Sequence, residues 1–167
     1  MDSINIGDTI YLVSTFPTKL LDQNSGREIN YINAISLGSD LRIGKLEDNN
    51  PVPIDAVAEF NYFSLKGRIY NDKSIPSPNG VQQLTYQEMD SNYELKIGMI
   101  PLKKGIYAVG VGNGISAGRK TYKSCEKAAF DISLNNTSQH IYYYQRWRPG
   151  YILTESDLKR LYCFKVK

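Results

Sequence analysis

The chain has 167 residues and a net charge of +3, and 41% of its residues are hydrophobic. This composition is ordinary for one globular domain, and no apolar run approaches the roughly 18 residues that a membrane-spanning helix needs. One histidine and two cysteines cannot supply the four soft ligands of a zinc site. The thirteen tyrosines, together with many Ile, Asn and Ser residues, favour pleated strands joined by turns.

Charge is unevenly distributed along the chain. Residues 1–100 carry 8 Lys/Arg against 13 Asp/Glu, whereas residues 101–167 carry 12 against 4. The plainer interpretation of this excess is that one face of the fold is basic and solvated. The more specific interpretation is that the basic region binds an anionic partner.

The first half of the chain is predicted to form short strands separated by turns. Residues 8–14 alternate in character and predict a strand. Residues 22–26 and 38–40 predict turns, because Asn and Gly accept the positive φ of tight reversals. Further strands are expected at 28–35, 41–46 and 56–70. Gly67 indicates a bulge or bend within the last of these.

The second half begins with the clearest hairpin, which turns at Asp90-Ser91-Asn92. One face of this hairpin carries Leu84, Tyr86, Tyr93, Leu95, Ile97 and Met99. Further strands are expected at 106–111, 128–134, 140–145 and 161–166. The only helical signal is Thr154-Glu155-Ser156-Asp157, a capping sequence with Thr154 as the cap.

Two fragments resemble immunoglobulin-like modules of bacterial surface proteins. Residues 7–12 (GDTIYL) resemble their early strand, and residues 104–109 (KGIYAV) are similar to their penultimate strand. In that strand a tyrosine hydrogen-bonds back to the preceding backbone, and Tyr107 would be this tyrosine. Lys103 and Lys104 stand where an acidic residue usually precedes it.

The chain also resembles the mature portions of uncharacterised cell-envelope lipoproteins of gut-type bacteria. Residues 112–118 (GNGISAG) and 124–128 (SCEKA) carry this resemblance, which implies export and no established activity. Met1 is followed by polar and acidic residues and lacks the features of a signal peptide. We therefore expect an exported envelope or periplasmic protein whose signal segment has been removed, with a cytoplasmic protein as the alternative.

These observations predict an all-β fold. We expect an immunoglobulin-like antiparallel β-sandwich with extra C-terminal strands and at most one short helix. A single domain should span residues 1–167. Immunoglobulin-like core strands should occupy 1–112, and a basic, aromatic-rich extension, 113–167, should pack on them.

No catalytic, metal or cofactor motif is recognised in the sequence. Residues 110–114 begin like a dinucleotide fingerprint and 118–121 resemble a P-loop, but the glycine spacing and the required helix are missing, so a flexible inter-strand loop is expected. His140 is the only histidine in the sequence, and no nucleophile-elbow motif such as G-x-S-x-G is present for it to act with. The turn at 22–26 lacks the bidentate Glu of a calcium loop. Catalysis by two carboxylates that are distant in sequence but close in the fold stays an open alternative. The candidates on predicted strands are Glu59, Glu88 and Glu94.

The most unusual stretch is 142–151 (YYYQRWRPGY). The only tryptophan, Trp147, lies between two arginines and can stack on a sugar ring or a base, while the arginines can hold a carboxylate or phosphate. The plainer interpretation is that Trp147 fills the core and the arginines reach solvent. The predicted ligand-binding residues are Tyr144, Arg146, Trp147, Arg148 and Tyr151.

The two cysteines are Cys125 and Cys163. They are either two free thiols or, in an exported protein, a disulfide, since oxidising compartments preserve such bonds.

The leading functional hypothesis is a non-catalytic cell-envelope protein that binds a glycan or another protein. The first alternative is a nucleic-acid-binding β protein that uses the basic C-terminal third. The second is an enzyme with an unrecognised carboxylate site.

Overall fold

The computed structural model describes residues 3–69, 80–120, 127–134 and 139–167. Strands account for 51% of these residues and helices for 10%. The protein is therefore mostly β, which confirms the coarser part of the all-β prediction.

The strands, in chain order, are β1 (Ser3–Ile4), β2 (Ile10–Pro17), β3 (Lys19–Leu21), β4 (Glu28–Asn30), β5 (Ala34–Ile35), β6 (Gly38–Lys45), β7 (Ile54–Asp55), β8 (Phe60–Lys66), β9 (Arg68–Ile69), β10 (Val81–Thr85), β11 (Gln87–Met89), β12 (Asn92–Pro101), β13 (Gly105–Val111), β14 (Gly114–Ile115), β15 (Gly118–Arg119), β16 (Ala129–Phe130) and β17 (Leu161–Val166). The helices are a 3₁₀ turn (Val57–Glu59), α1 (Tyr142–Trp147) and α2 (Glu155–Arg160).

The strands form two main sheets. The larger sheet has the order β1-β17-β13-β6-β10-β9, with β7, β14 and β16 added beside this path. In the smaller sheet, β12 pairs with β2, β8 and β11. Among the described strands, pairing is antiparallel except between β1 and β17. The short strands β3 and β4 form one separate pair, and β5 and β15 form another.

Both main sheets contribute side chains to one hydrophobic core. Leu41 and Ile43 of β6 and Tyr107 of β13 meet Leu95 and Ile97 of β12 in a single buried cluster. Successive strand residues point to opposite faces, so the remaining residues of β6 and β13 lie on the other face of the larger sheet. We call this the outer face.

The two sheets are joined by strands that pass from one into the other, so that they curl into a half-barrel. The chain leaves β8 in the smaller sheet and enters β9 in the larger one at Gly67, while Tyr86 separates β10 from β11. Gly67 has φ of +77°, and a Cβ there would lie 2.5 Å from the carbonyl oxygen of Thr85 and 2.8 Å from Cδ1 of Leu95. The bend predicted at Gly67 is confirmed.

The predicted hairpin is also confirmed. Met89 pairs with Asn92, which leaves Asp90 and Ser91 as a two-residue loop, and Asp90 has the positive φ of +53° that such turns require. All six residues predicted to share one face are buried: Leu84, Tyr86, Tyr93, Leu95, Ile97 and Met99.

Several local predictions are wrong. Residues 38–40 begin β6 instead of forming a turn, and the strand expected at 28–35 is divided into β4 and β5 around Asn33, whose φ is +57°. Of the strand expected at 128–134, only Ala129–Phe130 is a strand. Gly114 and Gly118 lie in short strands and not in the flexible loop expected there.

The strand expected at 140–145 is the helix α1, so the described residues contain two α-helices instead of at most one. Tyr143, Tyr144 and Trp147 of α1 pack against the sheet, and this packing overrides the strand preference of tyrosine. The helix predicted from Thr154 is confirmed, since Thr154 and Asp157 form the reciprocal hydrogen bonds of a capping box.

Tyr107 makes the backbone contact that the sequence predicts. Its side chain is fully buried, and its hydroxyl lies 3.0 Å from the carbonyl oxygen of Lys103 and 2.6 Å from Oε2 of Glu59. Lys103 Nζ lies 3.0 Å from the other oxygen of Glu59. Glu59 thus supplies, from before β8, the acidic partner that is missing upstream of Tyr107 in sequence. Burial works to raise the pKa of Glu59, but the bonds from Tyr107 and Lys103 and the charge of Lys45 hold it below its ordinary value.

We expect Gly67→Ala to lower the free energy of unfolding by about 2–5 kcal/mol. A left-handed conformation costs a non-glycine residue about 1–2 kcal/mol, and overpacking adds about 1–3 kcal/mol. The matched control is Gly26→Ala, which has φ of +66° and nothing within 4 Å of the new Cβ, so only the backbone cost of about 1 kcal/mol should appear. Urea denaturation measures both, and equal losses would contradict the close approach at Gly67.

We expect Tyr107→Phe to cost about 2 kcal/mol of unfolding free energy at pH 7, because it removes a hydrogen bond to a carboxylate. The pKa of Glu59 is depressed in the folded protein, so its stabilising contribution is complete above the ordinary value of 4.5 and is lost as pH falls through the folded value. The deficit of the variant should therefore shrink in acid.

The control for this prediction is Tyr62→Phe, which removes a bond of 2.8 Å to the neutral carbonyl of Val57. Its cost, about 1 kcal/mol, should stay constant between pH 7 and acid. A deficit of Tyr107→Phe that also stayed constant would show that Glu59 does not stabilise the fold through this contact.

Candidate functional site

The helix α1 packs on the outer face of the larger sheet. Beneath it lie the small side chains of Ala108 on β13 and Cys163 on β17, which together with Leu46 form a second buried cluster. Trp147 is half-buried at the edge of this cluster, and its Nε1 donates a hydrogen bond of 2.7 Å to the carbonyl oxygen of Glu47. Trp147 therefore anchors α1 to the loop that follows β6.

Beside α1 the outer face stays open and forms a groove of about 400 Å³. Its floor consists of Gly44 on β6 and of Ala108 and Gly110 on the neighbouring β13. At Gly110 the groove reaches down to the backbone of the sheet, whereas Pro53 packs over Gly44, where a Cβ would lie 2.5 Å from the Cβ of Pro53. A Cβ at Gly110 would meet only the carbonyl oxygen of Arg160, at 4.0 Å. We call this site the tyrosine groove.

Two tyrosines form one wall of the tyrosine groove. Tyr144 comes from α1 and Tyr151 from the loop after it, and their ring centroids are 6.0 Å apart with the planes inclined at 51°. The guanidinium of Arg148 lies 4.4 Å from the ring centroid of Tyr151. Burial raises the pKa of Tyr144, an effect that its hydrogen bond with Arg148 partly offsets.

Charged side chains of both signs line the rest of the groove. Arg42 projects from β6, Asp55 from β7, and Asp157 from the first turn of α2. Both carboxylates are held by nearby backbone: Asp55 Oδ1 accepts from the amide of Val57 at 3.0 Å, and Asp157 Oδ2 accepts from the amide of Thr154 at 2.9 Å. The groove therefore offers fixed acceptors and a guanidinium donor beside an aromatic surface.

The five predicted ligand-binding residues are divided by the structure. Tyr144 and Tyr151 line the tyrosine groove, and Arg148 contacts the ring of Tyr151. Trp147 packs on the sheet, while Arg146 is exposed on the last turn of α1 and does not line the groove.

Sequence analysis missed Arg42, Asp55 and Asp157. A signal for Arg42 exists, since residues 38–44 (GSDLRIG) place Asp40 and Arg42 out of phase with the buried Leu41 and Ile43. The other two residues are distant in sequence and carry no such signal.

The other chemical candidates are occupied by structural contacts. Glu59 binds Tyr107 and Lys103, Glu94 lies 2.5 Å from Lys66, and Glu88 accepts from the amide of Asn33 and the hydroxyl of Tyr93. Asp22 accepts from the amides of Asn24 and Ser25, which confirms the turn predicted there. His140 precedes α1 and packs against the rings of Tyr142 and Tyr162.

Cys163 is fully buried and forms no disulfide with another described residue. Burial raises its pKa to about 12. Cys125 lies outside the described residues, so the disulfide stays a prediction.

Within the ranges that the structure covers, no group of three or more His, Cys, Asp or Glu side chains is arranged to hold a metal ion. Among the same residues, no helix has the length and apolar character needed to cross a membrane.

Comparison with protein-family models, with curated proteins and with solved structures finds no match to this chain. The class that the fold and the site define is therefore a mostly-β protein with an open, aromatic-walled groove on the outer face of its larger sheet.

We expect Trp147→Phe to cost about 1–3 kcal/mol of unfolding free energy, because it removes the bond to Glu47 and part of the packing under α1. Urea denaturation followed by circular dichroism measures this loss. The control is Tyr11→Phe, a half-exposed ring on the smaller sheet, which should change stability by less than about 0.5 kcal/mol. A stable Trp147→Phe variant would mean that Trp147 is not an anchor of α1.

Proposed function

We propose that the protein is a non-catalytic binding module that holds a glycan in the tyrosine groove. The observation that carries this proposal is the combination of an aromatic wall, Tyr144 and Tyr151, with a floor of backbone and small side chains. Apolar faces of sugar rings pack on aromatic rings, while their hydroxyls need hydrogen-bonding groups around them.

The polar groups of the tyrosine groove suit neutral hydroxyls. Arg42 can donate two hydrogen bonds in a fixed geometry, and Asp55 and Asp157 can accept them. Two carboxylates stand against one guanidinium among these three residues, so the groove itself gives no preference for an anionic ligand.

A protein partner is the second candidate, and the rim of the groove favours it. Tyr151 is 42% exposed, Ile152 is 87% exposed, and Val52, beside the lining residue Pro53, is 61% exposed. Apolar side chains of a partner could contact these residues. We give the glycan precedence because rigid polar groups and backbone line the interior of the groove.

We further propose that the fold is immunoglobulin-like and that the protein works in the cell envelope. The contact from Tyr107 to the backbone of Lys103 supports the first proposal. The second rests on the resemblance of residues 112–118 and 124–128 to envelope lipoproteins.

We expect Gly110→Val to abolish glycan binding and to leave the free energy of unfolding unchanged or slightly raised. The new side chain would project into the groove, and valine suits a strand better than glycine. The matched control is Thr15→Val, at an exposed position on β2 of the smaller sheet. A glycan array identifies the ligand, and calorimetric titration compares the variants.

The same experiment separates the candidate ligands. Tyr151→Ala should weaken glycan binding about fivefold or more, since stacking contributes about 1–3 kcal/mol for a base and a similar amount is expected for a sugar, whereas Tyr151→Phe should retain it. Binding to a neutral glycan should not change with salt, and binding to an oligonucleotide should weaken steeply as salt rises. Full binding by Gly110→Val would show that the ligand lies elsewhere.

A further inference from the structure

The outer side of β6 carries a row of four residues. Gly38, Asp40, Arg42 and Gly44 alternate with Ser39, Leu41 and Ile43, which are buried. Arg42 and Gly44 line the tyrosine groove at one end of this row. We call the four residues the outward row of β6.

The other end of the outward row borders a second pocket of about 450 Å³, which we call the polar pocket. Gly38 and Asp40 line it, together with side chains that carry an amide, a hydroxyl or an ammonium group: Gln83, Thr85, Asn113 and Lys127. Gln83 pairs with Asp40 and Thr85 with Gly38 in the ladder between β10 and β6. These positions therefore lie on the same outer face as Arg42.

The two pockets lie along the same stretch of β6, although no residue lines both. Gly38 and Gly44 are six residues apart on one strand, which corresponds to about 20 Å at the rise of an extended chain. Between them, Arg42 pairs with Gly110, and the amide of Gly112 donates a bond of 2.7 Å to the carbonyl oxygen of Asp40. Glycines thus flank the row on the β13 side, so no side chain from these two positions separates the tyrosine groove from the polar pocket.

We propose that the tyrosine groove and the polar pocket are two subsites for a single linear, neutral oligosaccharide that lies along the outward row of β6. This inference rests on the proposed function and specifies the ligand as an extended chain of several sugars, not a single terminal sugar. The tyrosine groove holds one ring by stacking. The polar pocket binds the hydroxyls of a later sugar through the Asp40 carboxylate and the Gln83 and Asn113 amides.

The lining of the two pockets supports different roles for them. The residues that line the polar pocket include no aromatic ring, so stacking is confined to the tyrosine end. Hydrogen bonds alone bind sugars weakly, since each contributes about 0.5–1.5 kcal/mol net of the water it replaces. A short ligand should therefore choose the tyrosine groove, and only a chain long enough to reach Asp40 should gain from the polar pocket.

The test uses the neutral linear glycan found on the array, prepared as a series from two to six sugars. We expect the affinity of the intact protein to rise about tenfold or more between the disaccharide and the hexasaccharide, and then to level off. Two or three added hydrogen bonds are sufficient for such a rise.

The double variant Gln83→Ala/Asn113→Ala separates the two subsites. Both residues are exposed, so the fold should tolerate the changes. The hexasaccharide should lose affinity to about the level of the disaccharide, and the affinity for the disaccharide should not change. Gly110→Val should abolish binding of both lengths, and Thr15→Val should affect neither.

Each outcome separates this inference from the proposed function. Affinity that does not depend on length beyond two sugars, or a hexasaccharide unaffected by the double variant, would overturn the extended site and leave the tyrosine groove as a glycan site. Absence of glycan binding by the unaltered protein would overturn both proposals.

Discussion

Two segments of the described chain change sheets at a bend, and the single core between the two main sheets depends on these bends. Gly67 lets the chain continue from β8 into β9, and Tyr86 occupies the corresponding position between β10 and β11. At Gly67 the backbone passes so close to Thr85 and Leu95 that no Cβ fits. Because the two sheets are continuous at this corner, Leu41 and Ile97, one from each, are buried in a single core.

This curling fixes which surface is left for binding. The core fills the concave side of the half-barrel, so the outer face of the larger sheet is the face of that sheet that is left for a ligand. The helix α1 covers it over Ala108 and Cys163, where small side chains let Trp147 and Tyr144 approach the strands. A Cβ on Gly110 would meet no side chain within 4 Å in the described part of the chain, and the tyrosine groove opens there, beside the Pro53 ring that packs over Gly44. Trp147 and Tyr144, which anchor α1, and Tyr151, which lines the groove with Tyr144, are therefore neighbours, because all of them lie on the outer face of the larger sheet.

Sequence analysis succeeded where structure depends on neighbouring residues and failed where it depends on distant ones. The cap at Thr154, the hairpin turn at Asp90 and the bend at Gly67 are encoded by local preferences for hydrogen bonding and for positive φ. The strand predicted at 140–145 is a helix because its aromatic side chains pack on the outer face of the larger sheet. No local sequence pattern shows this contact between distant residues. The groove depends on the approach of Asp55 to Tyr151, across nearly a hundred residues, and the acidic partner of Tyr107 likewise comes from a distant part of the chain, the 3₁₀ turn before β8.

Four of the twelve basic residues in the C-terminal third have structural partners. Lys103 pairs with Glu59, Lys159 with Glu155, and Arg160 with Asp131. Arg119 is buried, donates to the carbonyl oxygen of Asn30 and stacks on the ring of Tyr31. Exposed ion pairs contribute little to stability, but each one offsets a positive charge that a polyanion would otherwise meet. Since Asp55 and Asp157 also lie beside Arg42 in the groove, the excess of basic residues is not concentrated there, which agrees with our proposal of a neutral ligand.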